Sequence, residues 1–545
     1  MSPRHPRPRP SVGLTFSAGL LTAALLVTGS FLTGCGKRGD GSSSQILRVS
    51  QRNEPASIDP HLATLPDEFF VIRALGEGLL TPSPSGGAPE AAVAESWTIS
   101  PDALTYTFKL RADARWSNGD TVTAGDFVYS VHRALTPALA SPKAALFFPL
   151  KNAEAFYTGR MRDFAAVGVH ALDDHTLELV LNEPVADFLA IVASGPWIPV
   201  HAITVEKAGR MDARGTKWTA PENFVGNGPF TLAAWRPHRD LNLKRNPNYR
   251  AADRVKLQQV RLLSYDNGES EERAFRAGQI DVTMAVPANK LASYRSLQPP
   301  VLHSTALYEI RYVCLNTTRP PLDDRRVRRA LALALNRQAI VENVLQGGQE
   351  PALNFVPAGL GGYVPASKLT EDIEEARRLL REAGFPDGRG FPKLELTTWG
   401  VAPAQLEAIQ QMWWRELKIN VTIAQREAST HLAALASGDY AMAFMTAIPD
   451  YNGASNLFTE LKTANSGNYS RWSSTEFDRL VGEAGRISSV EERNKIYQAA
   501  EKILLGEMPV VPLYFNTQNY LVHPSVKNWR ADHLWTRFYT DVSLQ

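Results

Sequence analysis

The first forty residues constrain this chain most, because they decide which compartment it must fold in. Arg4, Arg7 and Arg9 stand without an acidic neighbour, residues 12–32 are apolar and small, and Leu32-Thr33-Gly34-Cys35 closes the run. That order is the charged, apolar and small-residue pattern of an export signal. Residues 36–44 are small and polar, as a flexible tether is. Residues 35–545 contain Cys35 and one further cysteine, Cys314. A chain this long exceeds what one hydrophobic core supports, which predicts two or three domains. With Cys35 otherwise engaged no internal disulfide is available, so stability outside the cytoplasm has to come from buried apolar area.

The four closing residues resemble a bacterial lipobox, which implies cleavage before Cys35 and a diacylglyceryl group on its sulfur. A transmembrane anchor, or a cut at another site, is the alternative reading of the same run. Removing residues 1–34 takes away three arginines and no acid, so the formal charge of +2 becomes −1. No clustered basic stripe remains for nucleic acid. Hydrophobic content of 44% and charged content of 21% are globular values. No apolar run beyond the leader is long enough to span a bilayer. Cys314, in Tyr312-Val313-Cys314-Leu315, reads as an inert thiol in a buried strand.

Catalytic and metal motifs are missing from the sequence: no Gly-x-Ser-x-Gly, His-Glu-x-x-His, Walker loop or Cys-x-x-Cys occurs. His170 and His175 flank Asp173-Asp174, a turn-like sequence whose spacing does not set both rings on one helical face. No Gly-rich loop follows a strand in the dinucleotide manner. The weight falls on binding, with no cofactor and no metal expected.

Periodicity predicts a strand-rich first part and an α/β second part. Strands are expected at 46–50, 104–110, 176–181, 230–235 and 241–245, with Asn118-Gly119 as a turn. Asp67 is placed as the cap of a helix ending at Gly76, and Thr123-Ala124-Gly125-Asp126 opens another. Amphipathic helices are expected at 326–336, 371–383, 405–417 and 491–506, with strands at 394–398 and 420–423 bracketing one in a βαβ manner and a strand at 510–515. Trp97, Trp116, Phe127 and Tyr129 read as core, the Arg325, Arg326, Arg328 and Arg329 run as a solvated helix start, and Asn227-Gly228-Pro229 as a sharp turn between strands.

Ordered words along the chain carry a family resemblance. Ala94-Glu95-Ser96-Trp97, Trp116-Ser117-Asn118-Gly119, Thr123 to Ser130, Asp174-His175-Thr176-Leu177-Glu178, Asn227-Gly228-Pro229-Phe230 and Lys244 to Tyr249 are followed by Asp324 to Leu331, Asp450-Tyr451-Asn452 and Ala500 to Leu504. Together they resemble the bacterial extracellular solute-binding proteins of family 5, from about Ile46 to near the end. The resemblance implies an α/β, two-lobed, three-domain periplasmic binding protein of type II, peptide-binding class, that closes like a hinge. Lobe I would combine residues 45–76, 200–305 and 517–545, a small inserted domain 77–199, and lobe II 306–516. It further implies a lipid-anchored, monomeric receptor, not an enzyme, that hands peptide to ABC permease subunits driven by a separate ATPase. Other solutes served by the family are the alternatives: a murein peptide, a nickel chelate, haem or a sugar. A periplasmic chaperone or hydrolase on the same body is the reading from another class.

The same resemblance implies the site. Asp450, in the Asp-Tyr-x-x motif, would pair with the peptide's free ammonium, with Tyr451 and Asn452 beside it. Thr446, Ala447 and Ile448 would pair with the peptide backbone as an added strand, with Thr64 and Leu65 on the opposite side. Trp399, Tyr514 and Asn516 are pocket candidates, with core packing the competing role for each. Where enteric oligopeptide binders carry two arginines and a histidine for peptide C-termini, this chain has Leu435, Phe444 and Ala402. Pro449 stands where glycine is common, and Gly453-Ala454 replaces a frequent Glu-Pro.

Overall fold

The computed structural model describes residues 45–545 other than 52 and 401–402. The export signal, Cys35, the tether and Ala402 lie outside the described residues. Three sheets of four or more strands organise the rest, beside two two-stranded pairs.

The first sheet has four strands in the order Ile46–Gln51, Gln259–Ser264, Asp240–Arg245, Phe230–Arg236. Ile46–Gln51 pairs in parallel with a segment some two hundred positions away, and the other pairings are antiparallel. Leu47, Val49, Leu241, Leu243, Val260 and Leu262 fill its inner face, against Val71, Ile72 and Leu75 of the helix Pro66–Leu75. The chain end returns here: Val522 bridges Val282. Parallel pairing needs a long crossover, and a complete further sheet is inserted in this one.

That second sheet runs Ala94–Ile99, Thr105–Leu110, Thr176–Val180, Val169–Asp173, all antiparallel. In Thr105–Leu110 the residues Tyr106, Phe108 and Leu110 are buried and the alternate ones are not, the period-two pattern of a sheet covered on one side. The cover is the helix Ala124–Leu135, whose Phe127, Val131 and Leu135 meet Trp116 and Leu177. Trp116 and Phe127 are core, as expected, while Trp97 and Tyr129 are only partly buried.

The third sheet has six strands: Glu350–Pro351, Val510–Leu521, Leu302–Leu315, Met442–Ala447, Leu394–Trp399 and Val421–Arg426. Leu394–Trp399 and Val421–Arg426 are parallel around the helix Ala404–Leu417, the βαβ unit expected from periodicity. Two strands outrun expectation: Val510–Leu521 continues six residues past Phe515 because Leu302–Leu315 keeps pairing with it, from Cys314↔Val510 to Leu302↔Leu521. Their register breaks between Ala306 and Ile310. Beyond the break they leave the large sheet and reach the first, where Thr283 N donates to Leu521 O at 2.9 Å and His523 N to Asp281 O at 2.8 Å.

Several local expectations are corrected. Asp67 lies within the first helical turn and accepts from Asn53 Nδ2, while Leu65 is the cap position and Glu68 reaches back to it. Arg328 is only 3% exposed, because its guanidinium donates to the carbonyls of Glu507, Leu322 and Asp323; Arg325 alone of the run is exposed. Gly228 serves close approach: a Cβ there would stand 2.5 Å from Gly76 N, and the Asn227 amide bonds both the N–H and the carbonyl of Glu77. Cys314 is buried, 3.5 Å from the Tyr440 hydroxyl.

Candidate functional site

A cleft of about 1190 Å³ lies where the three sheets meet. Its walls come from the turn before Pro66–Leu75, from the inserted sheet's loops around Lys143 and Val185, from residues 444–452 of the third sheet, and from the C-terminal segment at Asp532–Thr536.

The wall after Met442–Ala447 is shaped by a pairing that stops early. Toward Leu302–Leu315 this strand is bonded through Ile310↔Ala447, but toward Leu394–Trp399 only Leu396↔Met442 and Thr397↔Ala443 pair. Thr446, Ala447 and Ile448 line the cleft past that point. Thr64 and Leu65 line it as well, yet both their amides donate to Glu68 Oε2, at 2.7 and 2.9 Å. Leu65 O in turn accepts from Glu68 N at 3.1 Å, so the backbone of this turn is largely bonded within the helix start.

Asp450 is already paired. Its two carboxylate oxygens take the Lys143 ammonium at 2.7 and 2.9 Å, with the side chains 24% and 22% exposed. Glu460 lies on the same wall, its carboxyl raised to about 7 by burial and by the Asp450 charge, with Lys143 acting in the opposite direction. Lys143 stands 307 positions from Asp450 in sequence, and no local pattern announces either it or Glu460.

The next residues bridge protein to protein. The Tyr451 hydroxyl meets Ser455 Oγ at 2.9 Å, which donates to Asp187 Oδ2 at 2.5 Å; Arg493 stands 3.6 Å from the other Asp187 oxygen. Burial raises the Asp187 carboxyl. Asn452 accepts from Gly361 N and donates to Gly86 O, both at 2.8 Å, so its amide is committed. Tyr451 and Asn452, named from sequence as ligand contacts, thus fasten the third sheet's loop to the inserted one.

The remaining candidates separate. Trp399 is 52% exposed in the cleft, tilted against His431 at 6.5 Å between ring centroids, near Leu435 and Phe444. Burial and the Arg426 charge lower the His431 pKa, which favours its neutral imidazole. Tyr514 is corrected to a core residue: its ring packs in the large sheet's hydrophobic cluster and its hydroxyl accepts from Gln405 Nε2 at 3.0 Å. Asn516 stands behind the wall and donates to Glu309 Oε1 at 2.9 Å. Glu309, which sequence reasoning missed, faces the cleft held by Arg311 and Trp535 Nε1.

A body of three sheets around one large cleft defines the class of two-lobed solute-binding proteins. Residues 88–469 match the family described as "Bacterial extracellular solute-binding proteins, family 5 Middle". The chain belongs to that family. It is 32% identical over 492 residues (88% of this chain, 90% of the relative) to the probable deoxycholate-binding periplasmic protein YgiS of Escherichia coli. It is 31% identical over 531 residues to the oligopeptide-binding protein OppA of Bacillus subtilis, covering 93% of this chain and 96% of that one. The structure of the Escherichia coli murein tripeptide binding protein MppA matches with a TM-score of 0.82 at 30% identity, over 92% of this chain and 99% of that one.

Proposed function

We propose that this chain is the extracytoplasmic receptor of an ABC importer that captures peptides, oligopeptides foremost, and delivers them unchanged to a membrane permease. The observation that carries the reading is the half-paired strand Met442–Ala447, whose free side faces a cleft roomy enough for an extended peptide. An added strand is held by main-chain bonds that are indifferent to side chains, which suits a receptor for mixed peptides. Relatives named for oligopeptide and murein-peptide binding support it. Lobe I is assigned to 45–76, 200–305 and 517–545, the inserted domain to 77–199 and lobe II to 306–516. The register break opposite Phe515–Thr517 is where the two crossing strands would flex. A lipid on Cys35 would hold the receptor at the membrane outside the cytoplasm; no helix among the described residues is long and apolar enough to cross one.

Native mass spectrometry of protein purified without denaturation tests the proposal, with co-purified peptide masses expected. Small-angle scattering should show compaction on adding them; no peptide and no compaction would overturn the reading.

A second reading has its own observation. Leu435 and Phe444 are uncharged where enteric oligopeptide binders carry arginines, and with Trp399 they give that end an apolar face that would suit a rigid apolar ring system. The relative named for deoxycholate makes a bile acid the molecule to try. Saturable deoxycholate binding with no response to peptides would favour this reading.

A further inference from the structure

The break in register between the two crossing strands is filled by a third segment. Leu307, Tyr308 and Glu309 of Leu302–Leu315 stand opposite the single residue Asn516 of Val510–Leu521, outside the ladder pairing. Backbone groups released in this way need partners elsewhere. The loop 531–537, closed by the bridge Ala531↔Arg537, supplies them. Tyr308 N donates to His533 O at 2.9 Å, and Ala306 O accepts from His533 Nδ1 at 2.6 Å.

Glu309 strengthens the same junction through its side chain. It is 1% exposed, and its carboxylate accepts from Arg311 Nε at 2.7 Å, Asn516 Nδ2 at 2.9 Å and Trp535 Nε1 at 3.0 Å. These donors come from the first strand, the second strand and the loop, so one buried charge ties together the segments that meet at the break. A carboxylate this deep is stable only while its donors stay in place. The backbone of Trp535 is constrained as well: its φ of 63° is left-handed, which a bulky side chain adopts only where its surroundings impose it. Asp532 Oδ1 accepts from the amides of Leu534 and Thr536 on either side, at 2.9 and 2.6 Å. Tyr308, Glu309, Arg311, His533 and Trp535 all line the cleft.

We infer that the loop 531–537 splints the crossing strands where they flex, and that Glu309 is the positioning residue joining the Trp535 ring in the cleft to that flexing point. A ligand seated against Trp535 holds Glu309 and the bulge in place. By reciprocity the angle of the hinge sets where the ring stands. That link rests on the cleft and hinge of the peptide reading, and adds to them the residue through which a ligand reaches the hinge.

Hydrogen–deuterium exchange on the wild type, Glu309→Gln and Trp535→Phe tests this, with and without saturating penta-alanine. Trp535→Phe keeps an aromatic ring, drops the indole N–H and alters neither crossing strand. In ligand-free protein each variant should speed exchange at 306–310 by about tenfold, the equivalent of one hydrogen bond to a buried charge. Exchange in the inserted sheet should stay at the wild-type rate, which general loss of stability would not allow. The double variant should exceed the faster single one by little, because both changes act on one network. Penta-alanine should slow 306–310 in the wild type and do so much less in Trp535→Phe. Wild-type exchange at 306–310 in Trp535→Phe overturns the inference. So do independent effects in the double variant, or a peptide response that survives Trp535→Phe in full. Should Glu309→Gln not fold, Trp535→Phe decides alone. If penta-alanine does not bind the wild type, the peptide reading falls, while the ligand-free rates still decide the splint.

Discussion

Gly453 lies so close to Asp187 that a Cβ on it would stand 2.5 Å from the Asp187 carboxylate oxygen. Glycine is what lets the loop after Asp450 press onto Asp187 of the inserted part, which the loop's own Tyr451 and Ser455 reach by hydrogen bonds. The glycine at 453, where Glu is frequent, is thus accounted for by packing.

Gly453→Ala should consequently destabilise the protein by about 1–3 kcal/mol, the usual cost of overpacking. Thermal unfolding checks the value. An unchanged melting temperature would show that the loop backs away freely and that the contact carries no strain.

Asp450→Asn removes one charge from the cluster and releases Lys143. The freed Lys143 ammonium then stands uncompensated in the cleft, and affinity for a free-amino peptide should fall. The double variant Lys143→Met with Asp450→Asn removes both charges of the pair and should bind better than Asp450→Asn alone. Titration calorimetry on the four proteins measures that coupling; strictly additive losses would refute it.

The Glu460 carboxyl also predicts a stability profile. Its value rises from the unfolded 4.5 to about 7, so the folded protein holds this proton more tightly than the unfolded chain does. Stability from this group is present below about 4.5 and is lost as pH rises through about 7. The full loss is bounded at about 3 kcal/mol. Denaturant unfolding at pH 5 and pH 8 should show the decline in the wild type, and Glu460→Gln should flatten it.

Cys35→Ser should move the protein from the membrane fraction to the soluble one, since the lipid is its only proposed anchor. Fractionation followed by detection of the chain reads the outcome. Continued pelleting with membranes would rule out a lipid on Cys35.

Much of the fold was legible because it is written locally. Thr105–Leu110 alternates over a covered face, and the parallel pair flanking Ala404–Leu417 follows from its flanking β-patterns. The ordered family words implied a three-domain α/β protein, and in the structure Trp116, Phe127 and Gly228 among them serve packing. Burial of Arg328 was not legible: a charge run looks solvated until the Glu507 carbonyl arrives from elsewhere to receive it beside that of Leu322.

By itself, then, the sequence determined the export pattern, the alternation of sheets and helices, and the segment 446–450 that borders the cleft. Only the tertiary structure decided what those residues do. Asp450 meets Lys143 across 307 positions, Asn452 spends its amide on Gly361 and Gly86, and Tyr514 turns into the core. Periodicity reports which face of an element is buried, because that depends on neighbours three, four or two residues away. Which charge faces which across a cleft depends on loops brought together by the whole fold, and no local pattern encodes it.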